Sequence, residues 1–310
     1  MKPLRIATRG SALALAQARW VGAAAEDATG RPHELVILQT SGDRIQDRAL
    51  AAIGGKGLFV KEIQEALLDG RADLAVHSAK DLPAKTPDRL VFAAFPRRAD
   101  ARDALIAREP GMRVSLLPRG ARIGTGSMRR ASQLRARRPD LELVPLRGNV
   151  DTRLRKLDEL ALHAIVLACA GLDRLGLGDR IHERIDTTDM LPAVGQGTLA
   201  LEVRADDHAL AADLAALDHV PTRMCLVAER AFQAALEGDC AVPIAAFAEL
   251  DTAGRLRLRG LVAKPDGSRV VRGEIEANAA DAERAGAQLA SELRARGGEE
   301  ILVALRGSAR

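Results

Sequence analysis

Three turns in this chain put arginine where a helix is expected to begin: Arg9-Gly10-Ser11, Thr125-Gly126-Ser127-Met128-Arg129-Arg130, and Arg147-Gly148-Asn149-Val150-Asp151-Thr152-Arg153. A helix N-terminus already carries about half a positive charge and unpaired N–H groups, so arginine there is unfavourable unless an anion offsets it. A single such turn is commonly an exposed arginine or one paired with Asp, at little cost. Three of them point to an anionic ligand. Guanidinium grips a planar carboxylate with two parallel hydrogen bonds, so a molecule bearing several carboxylates is the sharper expectation. Arg129 and Arg130 are accordingly expected to serve more as carboxylate grips than as folding elements.

Other residues could act on such a ligand. Lys80-Asp81 follows the apolar run Leu74-Ala75-Val76-His77-Ser78, which puts both side chains at the carboxyl end of a strand, where α/β proteins collect ligands. A Lys-Asp pair in a turn is often only solvated, and His77 fits a satisfied core residue better than a catalyst. Gly54-Gly55-Lys56-Gly57 looks like a phosphate loop but lacks the Walker spacing and the following Ser or Thr, so it is either a glycine lid or a plain loop, with Phe59 a core candidate. Of the three cysteines, Cys169 sits in an apolar strand and Cys225 early in a helix, where both should pack. Cys240 lies in the irregular stretch Glu237 to Pro243 and is the nucleophile candidate. No Cys/His spacing suits a metal.

The elements that must position these groups alternate between strand and helix. Strands are expected at Leu4 to Thr8, His33 to Gln39 and Asp73 to Ser78, with helices over Ala12 to Glu26 and Leu58 to Leu68. Pro96 to Asp103 reads as a crossing into a second set, with strands at Arg122 to Gly126, Leu141 to Leu146 and Ala164 to Ala168. Leu191 to Gly197 reads as the return crossing. Two crossings imply a hinged cleft between doubly wound α/β sheets. After Pro221 a helix (Met224 to Leu236), strands at Ile244 to Leu250, Arg255 to Val262 and Val270 to Ile275, and a helix from Ala280 to Arg296 form a separate α+β unit.

Composition narrows the function. At 310 residues, two or three domains are expected. A net charge of +4 from 46 basic and 42 acidic residues suggests a basic patch, not a polycation. Five Phe, one Trp and no Tyr leave few platforms for stacking bases, which argues against nucleic acid. Arg9 interrupts the N-terminal apolar stretch, which is too short for an export signal, and no stretch approaches a membrane span. A cytoplasmic protein with reduced cysteines is expected.

Read together, Ile6-Ala7-Thr8-Arg9, Gly54 to Glu62, His77-Ser78-Ala79-Lys80-Asp81, Arg147-Gly148-Asn149-Val150, Leu191 to Gly197 and Glu237-Gly238-Asp239-Cys240 resemble, in order, the motifs of the hydroxymethylbilane synthases, or porphobilinogen deaminases. The resemblance spans nearly the whole chain. It implies an α/β fold of three domains: two periplasmic-binding-protein-like doubly wound domains around a cleft (residues 1–97 with 198–217, and 98–197) and a smaller C-terminal α+β domain (218–310) carrying the loop cysteine. It further implies a monomer and a dipyrromethane primer, one per chain, joined to Cys240 by a thioether and needing no metal. Four porphobilinogen units would be added head to tail with loss of ammonia, and hydroxymethylbilane then released by hydrolysis.

By the same match Asp81 is the catalytic carboxylate. The carboxylate contacts are Arg9, Ser11, Lys80, Thr125, Ser127, Arg129, Arg130, Arg147, Arg153, Arg174 and Gln196, while Lys56 and Phe59 belong to a lid loop. Every pyrrole carries an acetate and a propionate, which agrees with the arginine-bearing turns. Asp239, Ala241 and Gly126 depart from the family pattern, where glycine, glutamine and a hydroxyl residue are frequent. A non-catalytic carboxylate-binding protein would use the same arginines but leaves Cys240 without a role.

Overall fold

A computed structural model of the chain describes residues 2–40, 60–83, 86–236 and 242–307; Lys56, Phe59 and Cys240 lie outside them. The chain divides into two compact units, Met1–Ala99 with Gly197–Arg223 and Asp100–Gln196 with Met224–Arg310. The second and third expected domains thus fall mostly within one unit.

The first unit is built on a five-stranded sheet. Its strands are β1 (Leu4–Arg9), β2 (His33–Leu38), β3 (Leu74–Ser78), β4 (Leu90–Ala94) and β10 (Leu199–Arg204), in the order β2-β1-β3-β10-β4. β1 runs parallel to β2 and β3, whereas β10 is antiparallel to both of its neighbours. Helices cover both faces, so the central strands are buried along nearly their whole length. On one face Leu4, Ile6, Leu74 and Leu201 pack with Ala18 and Val21 of α1 (Ala12–Thr29). On the other, Ala7 and Ala75 pack under Ile63, Ala66 and Leu67 of α2 (Lys61–Leu68). Full burial of a Leu or Ile is worth about 1.5–3 kcal/mol, so these two layers fix where the strand ends emerge.

The second unit repeats this plan. Strands β5 (Asp103–Ala107), β6 (Arg122–Gly124), β7 (Glu142–Val144), β8 (Ala164–Ala168) and β9 (Glu183–Ile185) take the order β7-β6-β8-β5-β9. In both sheets the fourth position is an antiparallel strand reached directly from a crossing, β10 in one and β5 in the other. Helices α3 (Met128–Arg137), α4 (Val150–Glu159) and α5 (Cys169–Arg174) follow β6, β7 and β8. A further helix of the first unit, α6 (His208–Leu214), follows β10.

A three-stranded antiparallel sheet of β11 (Ile244–Leu250), β12 (Arg255–Ala263) and β13 (Val270–Asn278) completes the second unit. One face packs on α7 (Val220–Ala235) and α8 (Ala282–Leu293) through Phe232, Leu258 and Leu289. The other packs Ala245, Phe247 and Leu261 against Ala101 and Leu191 of the crossing segments. Two helix boundaries differ from expectation. α7 starts before Pro221, because a first-turn proline gives up no helical hydrogen bond. The last helix breaks at Gly297, whose φ of +103° suits glycine, and resumes as α9 (Glu299–Gly307).

Candidate active site

In the first unit, β1 and β3 lie side by side and parallel, so their carboxyl ends emerge together. β1 ends on Arg9, and Ser11 then caps α1 by accepting from the Ala14 N–H at 3.3 Å. β3 ends on Ser78 and passes into a tight turn, Ala79–Asp81, whose entry is pinned by the Ala79 N–H donating to the Thr198 carbonyl at 2.9 Å. Lys80 and Asp81 are half-buried on that turn. A small pocket lies here, with Arg9, Gln17, His77, Ser78 and Asp81 as its polar lining and Ile63 on its apolar side. Gln17 Nε2 donates to Ser78 Oγ at 3.1 Å, and the Ser78 hydroxyl donates back to Gln17 Oε1 at 3.4 Å. Arg9 and Asp81, 72 positions apart by numbering, therefore share one cavity. His77 is buried and satisfied by Glu202 at 2.9 Å, as expected of a core histidine.

The second unit holds the other arginines. Ser127 caps α3, accepting from the Arg130 N–H at 3.4 Å, and Thr125 Oγ1 accepts from the Ser127 N–H at 3.2 Å. Gly126 is required by close approach: a Cβ there would lie 2.5 Å from the Leu146 carbonyl oxygen. Asn149 caps α4 by accepting from the Thr152 N–H at 2.9 Å, after Gly148 at a φ of +115°, and so places Arg147 and Arg153 on either side of that helix start. Arg174 closes α5, where burial lowers its guanidinium to about 10, still charged at neutral pH.

Arg129 and Arg130 have a partner within the protein. They are 6% and 5% exposed and both bind the carboxylate of Asp103, which is fully buried at the start of β5. Arg129 donates to it at 2.7 and 3.1 Å, Arg130 at 2.8 and 2.9 Å, and Gln196 Nε2 at 2.9 Å. Burial pushes the Asp103 carboxyl up, but the two guanidiniums overcome it and hold it well below the usual carboxylate range. At this helix start the protein itself supplies a carboxylate to both arginines. Two guanidiniums on one carboxylate still leave net positive charge. Gln196 is likewise engaged, with the Ala101 carbonyl at 2.7 Å. Sequence reasoning missed Asp103, Gln17 and Glu202; an acid inside or opening an apolar strand was the available signal for two of them.

Among the described cysteines, Cys169 and Cys225 are both buried. Burial pushes the Cys169 thiol up to about 12, which leaves almost no thiolate at neutral pH. No group of His, Cys, Asp or Glu among the described residues could hold a metal, and no described helix is long and apolar enough to cross a membrane.

Residues 4–212 match the family model for the porphobilinogen deaminase dipyromethane cofactor binding domain, and residues 223–295 that for the porphobilinogen deaminase C-terminal domain. Over 300 residues the chain is 53% identical to a porphobilinogen deaminase of Roseiflexus sp. (strain RS-1), covering 96% of this chain and 98% of that protein. It is 50% identical over 303 residues to one from Syntrophus aciditrophicus (strain SB), covering 96% and 97%. A third, from Sorangium cellulosum (strain So ce56), is 52% identical over 299 residues, covering 94% and 98%. With its two matched regions together spanning most of its length, this chain belongs to the porphobilinogen deaminase family.

Proposed function

We propose that this chain condenses four porphobilinogen molecules head to tail, with release of ammonia, and frees the product as hydroxymethylbilane for tetrapyrrole synthesis. The observation that carries this reading is that Arg9 and Asp81 line one pocket at the carboxyl ends of adjacent parallel strands. Porphobilinogen brings two carboxylates and an aminomethyl group, and so asks for a guanidinium and a carboxylate together.

Departure of the amine breaks a C–N bond and leaves a cationic azafulvene. The Asp81 carboxylate at about 4 Å would stabilise that charge by about 4 kcal/mol at an effective dielectric near 20. That corresponds to roughly a thousandfold in rate. The same carboxyl can hold the proton that leaves with ammonia and receive the one lost from the pyrrole α-carbon once the new C–C bond forms. Arg9 and Lys80 orient the substrate carboxylates beside it, and Ser11 closes the turn that presents Arg9.

Dipyrromethane would present four carboxylates, and in the second unit the guanidiniums of Arg147, Arg153 and Arg174, with the net positive Arg129-Arg130-Asp103 cluster, offer the chemistry to meet them, while Arg9 offers it in the first. Thr125, Ser127 and Gln196 shape that set. Joined to Cys240, the primer supplies the nucleophilic pyrrole end that each incoming unit extends. Lys56 and Phe59 belong, in this reading, to a lid over the site. Three domains, 1–97 with 198–217, 98–197 and 218–310, are the proposed division. The protein is then a cytoplasmic monomer without membrane partners and without nucleic-acid partners, the last of which its scarce aromatic residues and modest charge support.

Asp81→Asn tests the reading. Porphobilinogen is added to wild type and variant, the reactions are quenched quickly, and intact masses are compared. Wild type should give a ladder of adducts one pyrrole apart, and the variant should stall at the primer or its first adducts. A variant ladder built at wild-type speed would remove Asp81 from the chemistry.

A further inference from the structure

Behind the pocket wall lies a polar network that the proposed chemistry does not use. Glu202, on β10, is completely buried, and the His77 side chain on β3 is 2% exposed. Ala200 stands directly opposite His77 in the antiparallel ladder, so Glu202, two residues along, leaves the same face of the sheet as a diagonal neighbour. A glutamate is long enough to span that diagonal, and His77 Nε2 meets Glu202 Oε2 at 2.9 Å. The second oxygen, Oε1, accepts from Gln64 Nε2 of α2 at 2.9 Å. One carboxylate thereby ties together the strand that leads into the Lys80-Asp81 turn, the strand beside it, and the helix whose Ile63 forms the apolar side of the pocket.

Stability alone does not call for this network. A carboxylate taken wholly out of water loses its hydration, and an apolar pair of similar volume at such a position is often neutral or stabilising. The surrounding positions on this face, Ala75, Ala66 and Leu67, are apolar, so an apolar pair would continue the core. What a polar network adds is a single direction: an apolar side chain can settle in several packings, whereas a bonded imidazole between a fixed carboxylate and a pocket has one. His77 itself lines the pocket, four residues before Asp81.

We propose that Glu202, acting through His77 and seconded by Gln64, is a positioning residue for the condensation. It fixes the exit of β3 and hence the placement of the Asp81 carboxylate, without itself touching substrate. This inference rests on Asp81 being the reacting carboxylate. Misplacing a reacting group by about 1 Å can cost on the order of a hundredfold in rate, so a loss of at least about tenfold is expected when the network goes.

The test uses the primer-bearing enzyme, with rates expressed per chain that carries the primer by intact mass. In the double variant His77→Leu, Glu202→Leu neither half of the pair is stranded and the Gln64 amide loses its carboxylate acceptor, so the protein should still fold, with a Tm lowered by no more than several degrees. Its kcat should fall at least about tenfold while KM stays within about twofold, because the carboxylate grips are untouched. Glu202→Gln, which can still accept from Gln64 and bond the imidazole, should recover most of that rate. A double variant with wild-type kcat would overturn the proposal. So would one that fails to fold, since the network would then be a structural necessity. Asp81→Asn run alongside separates the two ideas: normal elongation by Asp81→Asn defeats the underlying reading, whereas a dead Asp81→Asn with a fully active double variant defeats only the role given to Glu202.

Discussion

Replacing Asp103 by leucine would leave the guanidiniums of Arg129 and Arg130 without their counter-ion inside the second unit. The carboxylate accepts four hydrogen bonds from them between 2.7 and 3.1 Å and a fifth from Gln196, all out of contact with water. Removing one partner of a buried ion pair costs about 3–5 kcal/mol, and two stranded charges put this site at the upper end. For a unit of about 150–250 residues, each kcal/mol moves the thermal midpoint by about 2–4 °C, so a fall of about 10–20 °C is expected by scanning calorimetry. Arg257→Ala is the control. Its pair with Glu274 is half-exposed on both sides, and such pairs are worth at most about 1 kcal/mol. Because Asp103 is depressed in the folded state, its contribution is present above the unfolded carboxyl value of about 3.9 and is lost as pH falls toward the folded one. The stability gap between wild type and Asp103→Asn should thus be full at about pH 7 and narrow below about pH 4. A leucine variant melting with wild type, or an asparagine gap that does not change with acid, would refute the reasoning.

Gly126→Ala should lower stability by about 1–3 kcal/mol, since its Cβ would press on the Leu146 carbonyl and the turn must shift; an unchanged denaturation midpoint would contradict this. Cys240→Ser should be isolated without any dipyrrole, because an alcohol is a far weaker nucleophile than a thiol, whereas Cys169→Ala should keep the primer even if core packing suffers. An adduct surviving in Cys240→Ser would place the anchor elsewhere.

Much of the frame was legible in the chain because its strands and helices are strongly patterned. Leu74–Ser78 and Ala164–Ala168 are apolar runs of strand length, and Ser11, Ser127 and Asn149 are N-cap residues at turns whose cap bonds are made. Short or mixed strands were not legible. Glu183–Ile185 is only three residues long, and Leu199–Arg204 follows a crossing and carries a buried acid, so neither stands out by period. The same limit applies to the site. The turn with Lys80 and Asp81 could be placed at a strand end from local sequence, but the partners that fix it come from far along the chain. Glu202 meets His77 across 125 positions, and Asp103 meets Arg129 across 26. A one-residue signal such as arginine at a helix start states that an anion is needed; it does not say whether a ligand or the protein supplies it. At Arg129 and Arg130 the protein does.

The most direct test of the proposed function is the intact mass of the purified chain under denaturing conditions, followed by peptide mapping. The expected result is the sequence mass plus one dipyrrole, carried by the peptide that contains Cys240, and a further series of one-pyrrole steps when porphobilinogen is added. A chain at its bare sequence mass that gains nothing from porphobilinogen, or a dipyrrole found on another residue, would contradict it.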